Sequence, residues 1–153
     1  MSSFEVNFPD DFLGDLLNTS AEEICMKALS EAAPIMEQSM KRSARAAVMH
    51  AGESDMVNSI KATTPKKTKD GDAYIVNVGP TGKSEHSYND RKTGKKKKEK
   101  VSNALKAVWK EYGIAGKQPA RPFLANATGN AEEAVVSKMQ EVYGKETQHG
   151  SDG

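Results

Sequence analysis

Cysteine is almost missing from this chain: Cys25 stands alone among 153 residues, so no internal disulfide can staple the fold. A single thiol set among helix-face residues reads as a buried structural group. Aromatic residues make up only 6% and hydrophobic residues 37%, which predicts a thin core of Ala, Val, Leu and Met in a subunit that leans on partners. No run approaches the roughly 20 apolar residues of a membrane span, and the opening "MSSFEVNFPDDF" has neither the basic nor the apolar region of a secretory signal. The chain is therefore expected to be intracellular, with no membrane partner. His50, His86 and His149 lie far apart with no second His or Cys at ligand spacing, so neither a metal nor any other cofactor is expected. The adjacent carboxylates Asp10-Asp11 and Glu132-Glu133 point in different directions on an arm or helix, and Ser84 and His86 fall in a polar segment too poorly anchored for nucleophilic catalysis. No catalytic constellation remains.

What is present is charge, unevenly spread. The formal net charge is only +1, yet residues 61–100 hold 12 Lys/Arg against 5 Asp/Glu, while the rest of the chain holds 10 against 16. A basic middle on an acidic body suits docking to an acidic partner or facing nucleic acid. The length suits one domain that folds without metal or disulfide staples.

Residues 1–19 read as a loosely held arm, able to pack on a neighbour. Ser20-Ala21-Glu22-Glu23 forms a capping box, and a helix starts there. Ile24, Ala28, Leu29, Ala32, Ile35, Met36, Met40, Ala44, Ala47 and Val48 then recur at three- and four-residue steps, the spacing of one buried face. Pro34 interrupts the pattern at a cost of about 3 kcal/mol in a helix interior, which predicts a kink or a junction between two helices. "SIKATT" and "DAYIVNVG" read as two strands of a hairpin.

The next segment, "NVGPTGKS" (77–84), ends like a phosphate-binding loop, but the required first glycine would stand at Asn77 and no helix follows. Residues 79–100 are polar and glycine-rich with little to bury, so they are expected to form a flexible basic loop. Within it, Lys95, Lys96, Lys97 and Lys98 could neutralise phosphates or merely keep the loop soluble. No aromatic residue interleaves with them. The segment 101–112 divides the evidence: Val101, Leu105, Val108, Trp109 and Tyr112 fit a helix face, while a strand fits less cleanly. A final helix begins near Pro122, with Leu124, Ala127, Ala131, Ala134, Val135, Met139 and Val142 along its apolar face. Gly129-Asn130 offers a break, Gly144 an end, and residues 146–153 a disordered tail.

One stretch is more specific. "VWKEYGIAGKQPARPFLANA" (108–127) resembles the signature of the tail-component family of long-tailed, siphovirus-type bacteriophages, the tail-completion or head–tail joining proteins. The resemblance is carried by Glu111-Tyr112-Gly113 and by Pro119-Ala120-Arg121-Pro122-Phe123-Leu124. It is supported more weakly by "SDMVNSI" (54–60) and "VNVGP", and departs from the family pattern at Ile114 and at Ser54-Asp55. It implies an order of helix, turn, strand, strand, motif and helix over about residues 20–145, with 104–112 as a strand, and that assignment is preferred over the helical periodicity. Arg121 then forks onto a carboxylate or backbone carbonyls, or lies at a subunit boundary; Phe123 and Leu124 anchor the last helix to the sheet.

The expectation is an α+β domain (20–145) in which a small antiparallel sheet packs against a long N-terminal helix and a C-terminal helix. The resemblance implies a non-enzymatic structural protein of the phage neck or tail, forming a ring, sixfold to match the tail tube, around the DNA channel. Its partners would be copies of itself, the adjacent connector or stopper and the tail tube, with non-specific DNA contact in the channel. It would assemble in host cytoplasm and reside in the virion. The competing expectation is a small nucleic-acid-binding protein that uses the Lys-rich loop.

Overall fold

The computed structural model describes residues 3–6, 21–48, 53–71 and 73–151. In chain order these form β1 (Ser3–Val6), α1 (Ala21–Ala47), α2 (Ser54–Asn58), β2 (Ile60–Ala62), β3 (Lys66–Lys67), β4 (Tyr74–Pro80), β5 (Lys83–Asn89), β6 (Lys96–Ser102), α3 (Asn103–Tyr112) and α4 (Phe123–Ser151). The α+β expectation holds: small antiparallel sheets accompany one long helix from each end of the chain.

Strand β4 is the spine of the main sheet. Tyr74, Val76, Val78 and Pro80 are buried and alternate with half-buried residues, the two-residue period of a strand with one face in a core. It pairs antiparallel with β1 through Ser3↔Asn77 to Val6↔Tyr74, and with β2 and β3 through Ile60↔Pro80 and Lys66↔Ile75. Thr63 bridges the gap between β2 and β3, its N–H donating to the Asn77 carbonyl (2.8 Å) and its Oγ1 accepting from Asn77 N–H (3.0 Å). The hairpin expected from "SIKATT" and "DAYIVNVG" is therefore present. The front of the expected arm is a strand on the chain's own sheet; residues 7–19 and the capping serine Ser20 lie outside the described residues.

Helix α1 packs on the sheet with one side and on α4 with another. The two helices run antiparallel, as three contacts along them show: Lys27 Nζ meets Glu146 Oε1 at 2.5 Å, Lys138 meets Glu31 at 4.0 Å, and Ser39 Oγ donates to the Ala127 carbonyl at 3.0 Å. Ala28, Ala32, Ala44, Ala127 and Ala131 are buried there, and their small side chains let two backbones approach. Leu29, Met36, Met40, Val135 and Met139 fill the remaining space in one continuous core with Val76, Val78 and Phe123. Ala, Val and Met dominate the core as expected, whereas Leu29 is the one fully buried leucine among the described residues.

Three expectations need correction. Of the two outcomes expected at Pro34, the junction is absent, since α1 is one helix of 27 residues; the proline is exposed, so a carbonyl left without its partner there is open to water. Gly129 and Gly144 likewise fail to interrupt or end α4, which runs to Ser151, so the tail set at 146–153 begins inside a helix. Each glycine costs about 1 kcal/mol against alanine, but burial of Ala131, Val135, Met139 and Val142 on α1 continues past the first and outweighs it. Finally, residues 79–100 are not an irregular loop: β5 and β6 form a seven-residue antiparallel hairpin, Lys83↔Ser102 to Asn89↔Lys96. Its tip is closed by Asp90 N–H to the Lys95 carbonyl (2.9 Å), Gly94 N–H to the Asp90 carbonyl (2.7 Å) and Lys92 N–H to Asp90 Oδ1 (2.9 Å).

Glu37 of α1 fastens the edge of the sheet. Its carboxylate accepts from Ala62 N–H (3.0 Å) and from Lys41 Nζ (2.9 Å). Burial works to raise its pKa, but the Lys41 ammonium and the Ala62 amide outweigh that and hold it below the ordinary carboxylate value. A folded-state pKa below the unfolded one gives stability that is present above the unfolded value and lost as pH falls through the folded one. Denaturant midpoints measured from neutral pH down through the carboxylate range should therefore fall less steeply in Glu37→Gln than in the unaltered protein.

Candidate functional site

The Glu111–Leu124 motif is a corner between two helices. Residues 103–112 are helical, correcting the strand preferred from the resemblance. Ser102 caps α3, its Oγ accepting from Leu105 N–H at 3.0 Å, and Gly113 ends it at φ 77°, ψ 176° with its N–H on the Trp109 carbonyl (2.8 Å). The chain then turns through the Ile114–Gln118 bridge and starts α4 at Phe123. Pro122 supplies the first helical carbonyl, accepting from Asn126 N–H at 3.1 Å, but offers no capping side chain. Glu111 does that job from the other helix. Its Oε2 accepts from Leu124 N–H at 2.7 Å and its Oε1 from Ala125 N–H at 3.2 Å, placing a carboxylate at the positive end of α4. In return Arg121 N–H donates to the Lys110 carbonyl at 2.7 Å.

The motif residues thus divide. Glu111 and Phe123 are buried, half-buried Gly113 lies close against the Gln118–Ala120 backbone, and Leu124 packs half-buried against the core. The last helix packs chiefly along α1, and Phe123 joins the core that also holds Val76 and Val78 of the sheet. Tyr112, Pro119, Arg121 and Pro122 are exposed. The Arg121 guanidinium makes no hydrogen bond or ion pair among the described residues, so of its two expected roles the intramolecular fork is absent there.

Helix α3 itself has its polarity reversed. Its buried side chains are Asn103, Ala107, Lys110 and Glu111, three of them polar or charged. Leu105, Val108 and Tyr112 are exposed, at 43%, 41% and 77%. Their spacing puts them on one outer stripe. The buried groups are all satisfied. Asn103 Nδ2 donates to the Thr81 carbonyl (2.8 Å), Ser84 Oγ donates to Asn103 Oδ1 (2.5 Å), and Lys110 Nζ, with its side chain only 2% exposed, meets Glu53 Oε1 at 2.6 Å. Sequence periodicity found this stripe as one face of a helix, and the strand preferred from the resemblance set it aside. Nothing within the helix marks the stripe as outward, since charged Lys110 and Glu111 opposite an apolar stripe are also what a core-facing helix shows.

A cleft of about 790 Å³ separates α2 and α3 from the hairpin, with Glu53, Asp55, His86, Tyr88, Lys106 and Trp109 among its lining. The His86 ring stands 5.3 Å from Trp109 and 6.4 Å from Tyr88. The lysine run expected to lack aromatic company therefore has it across the strand, since Tyr88 faces Lys97. Lys95 lies in the hairpin turn, Lys96, Lys97 and Lys98 in β6, and Lys97 is ion-paired with Asp90. Gly82-Lys83-Ser84 opens strand β5 instead of a helix, and Ser84 Oγ is engaged by Asn103 and by Lys106 Nζ (2.6 Å). His50 and His149 fall outside the residues whose side chains are described. Among the described residues no three His, Cys, Asp or Glu side chains converge to hold a metal ion, and no helix is long and apolar enough to cross a membrane.

The family model described as "Bacteriophage HK97-gp10, putative tail-component" matches residues 10–113, more than half of the chain. The chain belongs to that family of bacteriophage tail components. The match takes in Glu111-Tyr112-Gly113 and ends there, so Pro119–Leu124 lies beyond it. Neither a curated protein nor a solved structure matches the chain at a significant level.

Proposed function

We propose that this tail component works at the neck or tail-completion layer of the virion, acting by assembly and not catalysis, as a ring of copies around the DNA channel. The domain is taken as residues 20–145 with an arm at 1–19, although Ser3–Val6 of that arm pairs with the domain's sheet and the last helix runs on to Ser151. A ring requires heterologous contacts, in which one surface of a subunit meets a different surface of the next. The observation that carries the reading is the reversed face of α3. Leu105, Val108 and Tyr112 form an apolar stripe on a domain whose core is already complete, and such stripes mark protein contacts. Exposed Arg121 and Tyr112 flank the same corner and suit such a contact, since interfaces are enriched in Arg and Tyr over the rest of the surface. A ring of six would match a sixfold tail tube, and adjoining layers would be the connector or stopper and the tube, met first in host cytoplasm during assembly.

Two measurements test this. Gold-labelled protein viewed by electron microscopy of virions should sit at the head–tail junction; label on the capsid shell or the tail tip would overturn the placement. Leu105→Asp with Val108→Asp should leave the circular dichroism of the monomer intact but abolish its incorporation into virions and leave heads and tails unjoined. Normal incorporation of that variant would remove α3 from the interface.

A further inference from the structure

The register of the basic hairpin sorts its lysines. Residues directly opposite in an antiparallel pair share a face. Ser84/Val101, His86/Glu99 and Tyr88/Lys97 therefore form one face, and Lys83/Ser102, Glu85/Lys100, Ser87/Lys98 and Asn89/Lys96 form the other. The face with His86 turns toward α3: Val101 is buried and His86 lies against Trp109. The face with Glu85 is exposed and gathers Lys83, Lys96, Lys98 and Lys100, with Lys96 and Glu85 also bordering the cleft. Its one carboxylate is Glu85, bound to Lys98 at 2.9 Å with both side chains more than half exposed.

These lysines differ from those of the helices. Lys27, Lys41, Lys110, Lys138 and Lys145 each have a glutamate partner, and Lys106 donates to Ser84 Oγ and to the Glu85 carbonyl. Lys83, Lys96 and Lys100 have no ion pair among the described residues. The result is a row of ammonium groups on a paired ribbon, those of β6 about 6.7 Å apart along the strand.

We infer that the exposed face of the β5–β6 hairpin binds the phosphate backbone of double-stranded DNA. A protein partner fits the face poorly, because it offers no apolar centre and lysine is depleted in protein interfaces. Single strands fit poorly as well: His86 and Tyr88, the rings that could stack on bases, belong to the opposite face. A two-stranded ribbon is also narrow enough to enter a major groove. Lysine acts as a point charge, so the contact is independent of sequence. The inference extends the proposed virion role, which sets the protein beside a DNA passage, but the binding itself is read from register and charge alone.

The test is fluorescence anisotropy of a labelled mixed-sequence duplex with the full-length protein, titrated with NaCl. Four neutralised phosphates predict a slope of log K against log salt of about −3.6, or an affinity loss of about 150-fold between about 50 and 200 mM. The triple variant Lys96→Gln, Lys98→Gln, Lys100→Gln should bring the slope to about −0.9. Lys97→Gln, on the other face, should leave it unchanged. The inference fails if the unaltered protein gives a slope shallower than about −1, if Lys97→Gln lowers the slope as much as Lys98→Gln, or if a single strand binds more tightly. Displacement of the duplex by polyglutamate at equal charge would overturn it in favour of an acidic protein partner. The fate of the virion reading is separate. Triple-variant virions that assemble normally leave that reading standing, whereas protein that binds duplex but never enters virions would remove it alone.

Discussion

Gly113→Ala is expected to lower the stability of the fold by about 4 kcal/mol. At φ 77° and ψ 176° the residue occupies a backbone region that is essentially glycine's own, and an L side chain there costs about 1–3 kcal/mol in strain. Steric overlap adds to this. A Cβ would stand 2.8 Å from both the Ala120 nitrogen and the Gln118 carbonyl oxygen, and 3.1 Å from the Pro119 carbonyl carbon. All three are backbone atoms of the Gln118–Ala120 stretch, one of whose neighbours, Arg121, bonds to Lys110, so none can swing aside as a flexible side chain would. The turn would have to open. Since a domain's whole stability is about 5–15 kcal/mol, a loss of this size should lower the melting temperature by roughly 10 °C. Gly116→Ala is the control: its φ is 71°, but nothing lies within 4 Å of the added carbon, so only strain of about 1 kcal/mol is expected. Thermal and urea denaturation of both variants check this, and equal losses would show that overlap at Gly113 contributes nothing.

How much of this was legible in the sequence depends on where each segment's partners lie. In α1 and β4 the partners are apolar and the pattern is local, so a three-to-four or two-residue repeat names the buried face directly; Leu29, Met36 and Val76 were readable. In α3 the repeat was readable and its meaning was not. Leu105, Val108 and Tyr112 make a stripe, but the side that faces the molecule was decided by Glu53, Thr81 and the amides of Leu124 and Ala125, all distant in sequence. No local window contains that information. The hairpin was missed for another reason. An exposed ribbon buries almost nothing, so a composition argument calls it flexible, although Asp90 and Gly94 close its turn and backbone pairing holds its strands. For α4 the glycines misled because their cost is local and small, while the packing that overrides it comes from α1. The motif at 111–124 was legible as a joint, yet its mechanism, one helix supplying the cap of another, needed coordinates.

That mechanism gives the other large effect. Helix α4 begins after Pro119-Ala120-Arg121-Pro122, which contains no Ser, Thr, Asp or Asn to accept from its first amides. Glu111 substitutes across the corner, so Glu111→Ala removes the acceptor of two amides at once, along with the negative charge at the helix's positive end. Partly buried donors left without partners, with the lost charge–dipole attraction, amount to about 3 kcal/mol. Glu111→Gln keeps one neutral acceptor and should lose about half as much. Stability alone would not separate a lost cap from lost packing, because Glu111 is itself buried. Hydrogen exchange does. In Glu111→Ala the amides of Leu124 and Ala125 should exchange faster relative to those of Ala131 and Val135 deeper in α4, whereas a packing defect would speed all four together. Unchanged protection at Leu124 and Ala125 would mean that the corner holds α4 by Phe123 and the Arg121–Lys110 backbone bond alone.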